Sequence, residues 1–119
     1  MITIFHNPRC SKSRETLALV EEFAARRHLP VEVVEYLKTP PTVPQLKSLL
    51  QQLGCDVREI VRSNEEEYDT LGLAQADDEA LLSAIAATPK LLQRPIVVYR
   101  GRAVIGRPPE RVRDLFDAE

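Results

Sequence analysis

The chain has 119 residues, of which 44% are hydrophobic and 29% charged, and its formal net charge is −2. That is the size and balance of one ordinary globular domain able to bury a core without staples, and it offers no general basis for a nucleic-acid partner. No apolar run approaches the roughly 18 residues of a membrane span. The opening Ile2-Thr3-Ile4-Phe5 lacks the basic-then-apolar pattern of a signal peptide. With only two cysteines and no secretory context, a reducing, cytoplasmic setting without a structural disulfide is expected, and no membrane partner.

Ile2–Phe5 reads as a short strand. Ser11–Arg27 reads as a helix, with Leu17, Val20 and Ala24 on one stripe and Leu19 and Phe23 beside it. Val31–Tyr36, rich in β-branched residues, reads as a second strand. Strand, helix, strand is a βαβ unit, which implies parallel pairing. Thr39-Pro40-Pro41-Thr42 breaks the pattern, and Thr42 with Gln45 forms a capping box for a helix carrying Leu46, Leu49, Leu50 and Leu53 and ended by Gly54. Asp56 to Arg62 reads as a short helix, a third short piece opens at Ser63–Tyr68, and Asp77–Ala87 reads as another helix with Leu81, Leu82 and Ile85 inward. Pro95–Tyr99 and Arg102–Ile105 read as strands flanking the hairpin turn Arg100-Gly101. Pro109–Asp117 reads as a closing helix with Val112, Leu115 and Phe116 inward. The expected class is α/β, in the order β-α-β, helices, β-β-α, with no linker that separates domains.

Cys10 carries the most chemistry. It lies between a strand end and a helix start, in His6-Asn7-Pro8-Arg9-Cys10-Ser11-Lys12-Ser13-Arg14. A sulfur there faces unpaired helical N–H groups and the positive end of the helix dipole, with Arg9, Lys12 and Arg14 nearby. Such surroundings lower a cysteine pKa into a range of roughly 3.5–7.5. The bland alternative is a buried small hydrophobe. His6 is read as positioning the Cys10 loop by hydrogen bonding, or as a general acid or base. Arg62, Arg94 and Arg107 sit at breaks between elements, where sites tend to be built. Spacing alone leaves open a shared anion site or three solvated or ion-paired side chains. Cys55, beside a helix-ending glycine, reads as structural or semi-exposed. Two distant histidines and two distant cysteines give no metal-site spacing, and no phosphate-binding glycine loop is present.

The segments His6-Asn7-Pro8-x-Cys10-x-x-Ser13-Arg14, Arg94-Pro95-Ile96-Val97-Val98 and Gly106-Arg107-Pro108 together resemble the ArsC-type, glutaredoxin-coupled arsenate reductase family. The stretches Asn7–Arg14 and Arg107-Pro108-Pro109-Glu110 are similar to its short YfgD-like branch. Three separated motifs agree in order and spacing, over nearly the whole chain. The resemblance implies a thioredoxin-like fold, β-α-β then β-β-α, in a single domain spanning 1–119 with a central helical insertion at about 42–90. It implies that Arg94-Pro95 takes the place of the thioredoxin-type cis proline, a geometry that costs only about 0.5–1 kcal/mol at X–Pro.

The resemblance further implies Cys10 as the nucleophile and Arg62, Arg94 and Arg107 as the oxyanion-binding arginines, with Ser13 and His6 flanking the thiol. Ser13, Arg14 and the helix-start amides complete an anion pocket, supported by Asn7 and Pro95. Arsenate would be converted to arsenite through a Cys10 adduct, with glutathione as co-substrate, glutaredoxin as partner and no bound cofactor. The physical logic is that a thiolate attacking an already anionic centre needs cations to offset repulsion, and planar guanidinium groups supply them with bidentate contacts. Where members of the family commonly carry Gly-Thr after the nucleophile, this chain has Ser11-Lys12. Two other readings are a thioredoxin-like redox sensor or adaptor that docks on a protein, as Spx-type regulators do, and a glutathione-dependent thiol oxidoreductase. The absence of a second cysteine at position 13 weighs against the Spx-type reading.

Overall fold

Ile2, Ile4 and His6 alternate inward along the first strand, β1 (Ile2–His6). Their period of two places one face of the strand in the core. The computed structural model describes residues 1–117. These form two units, one made of Met1–Tyr36 with the chain from Arg94 onward, the other of Leu37–Gln93.

In the first unit, β1 runs into helix α1 (Ser11–Arg27), which covers the predicted span. Its C-terminus is closed by His28 in the left-handed region, φ 56°, and by the Leu29 amide, which donates to the Ala24 carbonyl at 2.9 Å. The chain returns as β2 (Val31–Glu35) and, after the second unit, as β3 (Ile96–Tyr99) and β4 (Arg102–Ile105). Among the described residues four strands form one sheet in the order β2-β1-β3-β4, with β1 and β2 parallel and β1–β3 and β3–β4 antiparallel. This is the expected thioredoxin-like arrangement. The β3–β4 turn has Arg100 at φ 54° and Gly101 at φ 75°, the two successive positive values of a type I′ hairpin.

The core of this unit joins Ile2, Ile4, Val97 and Tyr99 of the sheet to Val20, Phe23 and Ala24 of α1, and to Val112, Leu115 and Phe116. Phe23 stacks on Phe116 with centroids 3.9 Å apart, and Tyr99 meets both rings edge-on. Such pairs add about 0.5–1.5 kcal/mol each beyond their buried area, and here they clamp the end of the chain onto α1. That end is a 3-10 turn, Pro109–Val112, followed by α5 (Arg113–Asp117), rather than the continuous helix expected.

The second unit is helical. It contains α2 (Val43–Leu53), α3 (Glu66–Thr70) and α4 (Asp78–Ala87), with 3-10 turns at Val57–Glu59, Leu73–Gln75 and Pro89–Leu91. The capping box of α2 is complete: the Gln45 amide donates to Thr42 Oγ1, and the Thr42 amide to Gln45 Oε1. The expected short helix from Asp56 to Arg62 is only the single turn Val57–Glu59. Its Arg58 donates from Nη1 to the Leu73 carbonyl at 2.7 Å and from Nη2 to the Ala76 carbonyl, tying the turn to the irregular chain beyond α3.

Candidate active site

Strand registers gather the candidate residues of the first unit at one end of the sheet. Phe5 faces Ile96, and Ile96 faces Ile105. One residue further, the same registers bring His6, Pro95 and Gly106 into a row. The Gly106 amide donates to the Pro95 carbonyl at 2.9 Å. Asn7, Arg94 and Arg107 follow at the margin, beside the start of α1. The Arg94–Pro95 peptide is cis, as is Arg107–Pro108.

The loop 7–10 is held by its own backbone and by Ser13. The Arg9 amide donates to Asn7 Oδ1 at 3.0 Å and the Cys10 amide to the Asn7 carbonyl at 3.0 Å, a turn nucleated by the asparagine side chain. Ser13 is fully buried. Its Oγ accepts from the Asn7 amide at 3.0 Å and lies 2.7 Å from His6 Nδ1. His6 is itself 5% exposed, and burial lowers its pKa below the usual imidazole value, aided by Arg14 and opposed by Glu35 and Glu21. The Ser13 hydroxyl thus accepts from the Asn7 amide and shares one proton with His6 Nδ1. Arg14 Nη1 donates to the Pro8 carbonyl at 3.0 Å, which fastens the loop from outside.

Cys10 occupies the N-cap of α1. Burial alone would push its thiol up. The Ser13 amide, the Arg94 guanidinium and the Lys12 amide outweigh burial, so the thiol titrates below its ordinary value. Arg107 Nη1 lies 3.9 Å from Cys10 Sγ and 3.5 Å from the Arg94 carbonyl. At that length Arg107 acts on the sulfur more as a nearby charge than as a tight donor. Arg94 Nε is buried without a hydrogen-bond partner among the described residues, so this guanidinium retains unused donor capacity. The arrangement can stabilise a sulfur anion and can accept the oxygens of a further anion.

Arg62 belongs to the helical unit. Its Nη1 pairs with Glu65 Oε1 at 2.7 Å with both side chains mostly buried, and its amide donates to the Leu91 carbonyl. Cys55, also in that unit, is a free thiol pushed up to about 11 by burial, by its hydrogen bond to Glu59 and by the charges of Glu59 and Asp56. A cleft of about 450 Å³ elsewhere in the first unit is lined by Phe23 and Phe116, by Arg26, Arg27 and Arg113, and by Glu22 and Asp117. It includes none of the candidate residues, and its mixed charges give no single-sign field. The described residues contain no group of three or more His, Cys, Asp and Glu side chains able to hold a metal ion.

Two residues at this site receive no role from the sequence motifs, although Gly106 lies within one of them. Thr16 and Gly106 are both buried and touch one another. The signal available was Ser13 and Thr16, two polar residues at helical spacing on the stripe that α1 turns inward.

The model of the ArsC family matches residues 5–115. The chain is 48% identical over 117 residues to the uncharacterized protein YfgD of Escherichia coli (strain K12), covering 96% of this chain and 95% of that one. It is 48% identical over 118 residues to an arsenate reductase of Neisseria meningitidis serogroup B (strain ATCC BAA-335 / MC58), covering 97% of each. The solved structure of an arsenate reductase from Vibrio cholerae superposes with a TM-score of 0.87 at 50% identity, covering 95% of each chain. The chain therefore belongs to the ArsC family.

Proposed function

We propose that this chain is a thiol-dependent arsenate reductase in which Cys10 is the nucleophile. The observation that carries the reading is the Cys10 sulfur at the N-cap of α1, with Arg94 lowering its pKa and Arg107 at 3.9 Å. Relatives named arsenate reductase at this identity support the choice of oxyanion.

The Cys10 thiolate attacks the arsenic(V) centre and displaces one hydroxyl, which takes a proton from solvent and leaves as water, giving a sulfur–arsenic bond. Arg94 and Arg107 hold the remaining oxygens and the charge that develops on them. A thiolate of glutathione then attacks the Cys10 sulfur. The sulfur–arsenic electron pair leaves with arsenic, which departs as arsenite, and a mixed disulfide remains on Cys10. A second thiol, from glutaredoxin, returns Cys10 to the reduced state. Two thiols are oxidised to one disulfide for each two-electron reduction of arsenic. Ser13 and His6 hold the loop and the amides that face the sulfur, and Arg14 fastens the loop. The family resemblance gives Arg62 an oxyanion-binding role, for which Arg62→Ala is the direct test. Two free thiols and a glutathione-dependent cycle fit a reducing, cytosolic setting.

Purified protein with arsenate, glutathione and glutaredoxin should oxidise NADPH through glutathione reductase, and Cys10→Ser should abolish the rate. Replacing glutaredoxin with thioredoxin and its reductase discriminates the reductant. An undiminished rate in Cys10→Ser, or no arsenate-dependent rate with either reductant, overturns the proposal.

A further inference from the structure

We propose that Thr16 and Gly106 are positioning residues that set the reach of Arg107 toward Cys10. The inference rests on the reading of Cys10 and Arg107 as parts of one anion site, but its geometry stands apart from the identity of the anion.

Gly106 links the two arginine-bearing segments. Its amide is bonded to the Pro95 carbonyl, and Arg107 follows it directly. Its α-carbon lies against α1 so closely that an added Cβ would come within 2.8 Å of Thr16 Oγ1, 2.9 Å of Thr16 Cγ2 and 3.1 Å of Pro95 Cγ. Contacts under 3.0 Å are not tolerated, so with any other residue there either the segment or the buried Thr16 side chain must shift. The glycine is required by closeness and not by backbone angle, because its φ is not in the left-handed region.

Thr16 supplies the other half of the seat. It is fully buried two turns into α1 from Cys10. Its hydroxyl lies 2.8 Å from the Lys12 carbonyl and 3.3 Å from the Gly106 carbonyl. One hydroxyl proton serves both acceptors, the shorter contact taking the larger share. The γ-methyl and the oxygen together therefore set how near residues 106 and 107 approach the helix that bears the sulfur. A β-branched side chain has one strongly restricted rotamer set in a helix, which suits a spacer better than a flexible side chain does. The bonds that fasten this seat also reach the carbonyl of Lys12, whose amide faces the sulfur. One threonine thus ties the cation-bearing strand end to the first turn of α1.

The test compares Gly106→Ala, Thr16→Ala, the double variant and Thr16→Ser, with the rate of Cys10 alkylation by iodoacetamide followed against pH. Gly106→Ala should move the midpoint upward and slow alkylation at pH 7 by up to about tenfold, the loss of thiolate produced by a one-unit rise. It should also raise the KM for arsenate more than it lowers kcat. Thr16→Ala/Gly106→Ala should return the midpoint most of the way, because the added methyl then has room. Thr16→Ser, which keeps the hydroxyl and loses the γ-methyl, should fall between wild type and Thr16→Ala.

Two results overturn the proposal. One is a wild-type alkylation profile in Gly106→Ala whose circular dichroism is also unchanged. The other is a shifted profile in Gly106→Ala that the double variant brings no closer to wild type. Should Gly106→Ala fail to fold, Thr16→Ala alone decides: a raised arsenate KM restored in part by Thr16→Ser supports the seat, and an unchanged KM and midpoint oppose it. Alkylation needs no arsenate, so a shifted and rescued midpoint in a protein without arsenate turnover would retain this inference while the functional reading fell.

Discussion

The Arg107 guanidinium lies 3.9 Å from the Cys10 sulfur across 97 residues of chain. At about 4 Å two charges attract by about 1 kcal/mol in water-like surroundings, the relevant limit for an exposed arginine. Arg107→Ala should therefore raise the Cys10 midpoint by roughly 0.7 pH unit and weaken arsenate binding. Iodoacetamide rates against pH measure the first and the KM the second. Superimposable wild-type and variant profiles would place Arg107 outside the site.

The buried pair His6 and Ser13 predicts a pH dependence of stability. Burial holds the folded-state His6 below its ordinary pKa, so the unfolded chain takes up the proton first. Stability is then undiminished above about pH 6.5 and falls as pH drops from there through the lowered folded-state value. His6→Asn should flatten that slope in urea midpoints taken from pH 7.5 to pH 5. Ser13→Ala, which strands the Asn7 amide, should cost about 1–3 kcal/mol. An unchanged slope in His6→Asn refutes the assignment of a buried neutral imidazole.

Cys55 predicts selective labelling. With its thiol pushed up to about 11 and that of Cys10 lowered, iodoacetamide at pH 7 should modify Cys10 first by a wide margin, since the thiolate is the nucleophile. Peptide mapping by mass spectrometry after brief exposure decides. Comparable labelling of the two would contradict the contrast in their surroundings.

Thr42 lies in the capping box of α2, among none of the residues assigned to the reaction. Thr42→Ala should lower stability by about 1 kcal/mol, the usual cost of losing such a cap, with kcat/KM for arsenate unaltered. Urea unfolding reads the first part and steady-state kinetics the second.

The parts of this fold visible in the sequence are those set by local chemistry. Cys10-Ser11 and Arg26-Arg27 bracket α1, Thr42 and Gln45 start α2, Gly54 ends it, and Arg100-Gly101 turns the hairpin. The segments around Val57 and Pro109 carry no such local signal. A pattern of inward apolar residues a few positions apart fits a 3-10 turn as well as one turn of α-helix, and packing decides between them. The site divides along the same line. The Cys10 loop could be read from its own residues, whereas the approach of Arg107 depends on a strand register and on the contact of Thr16 with Gly106. No local pattern encodes either.

β1 lies inside the sheet, with an early neighbour on one side and a late one on the other. A ribosome therefore delivers the sulfur loop long before it delivers the arginines at 94 and 107. Throughout translation of the intervening helical unit, the thiol stays without those counter-charges. The Ser13 and Lys12 amides face the sulfur from its own helix, so the closing hairpin adds the last share of its activation and not the first.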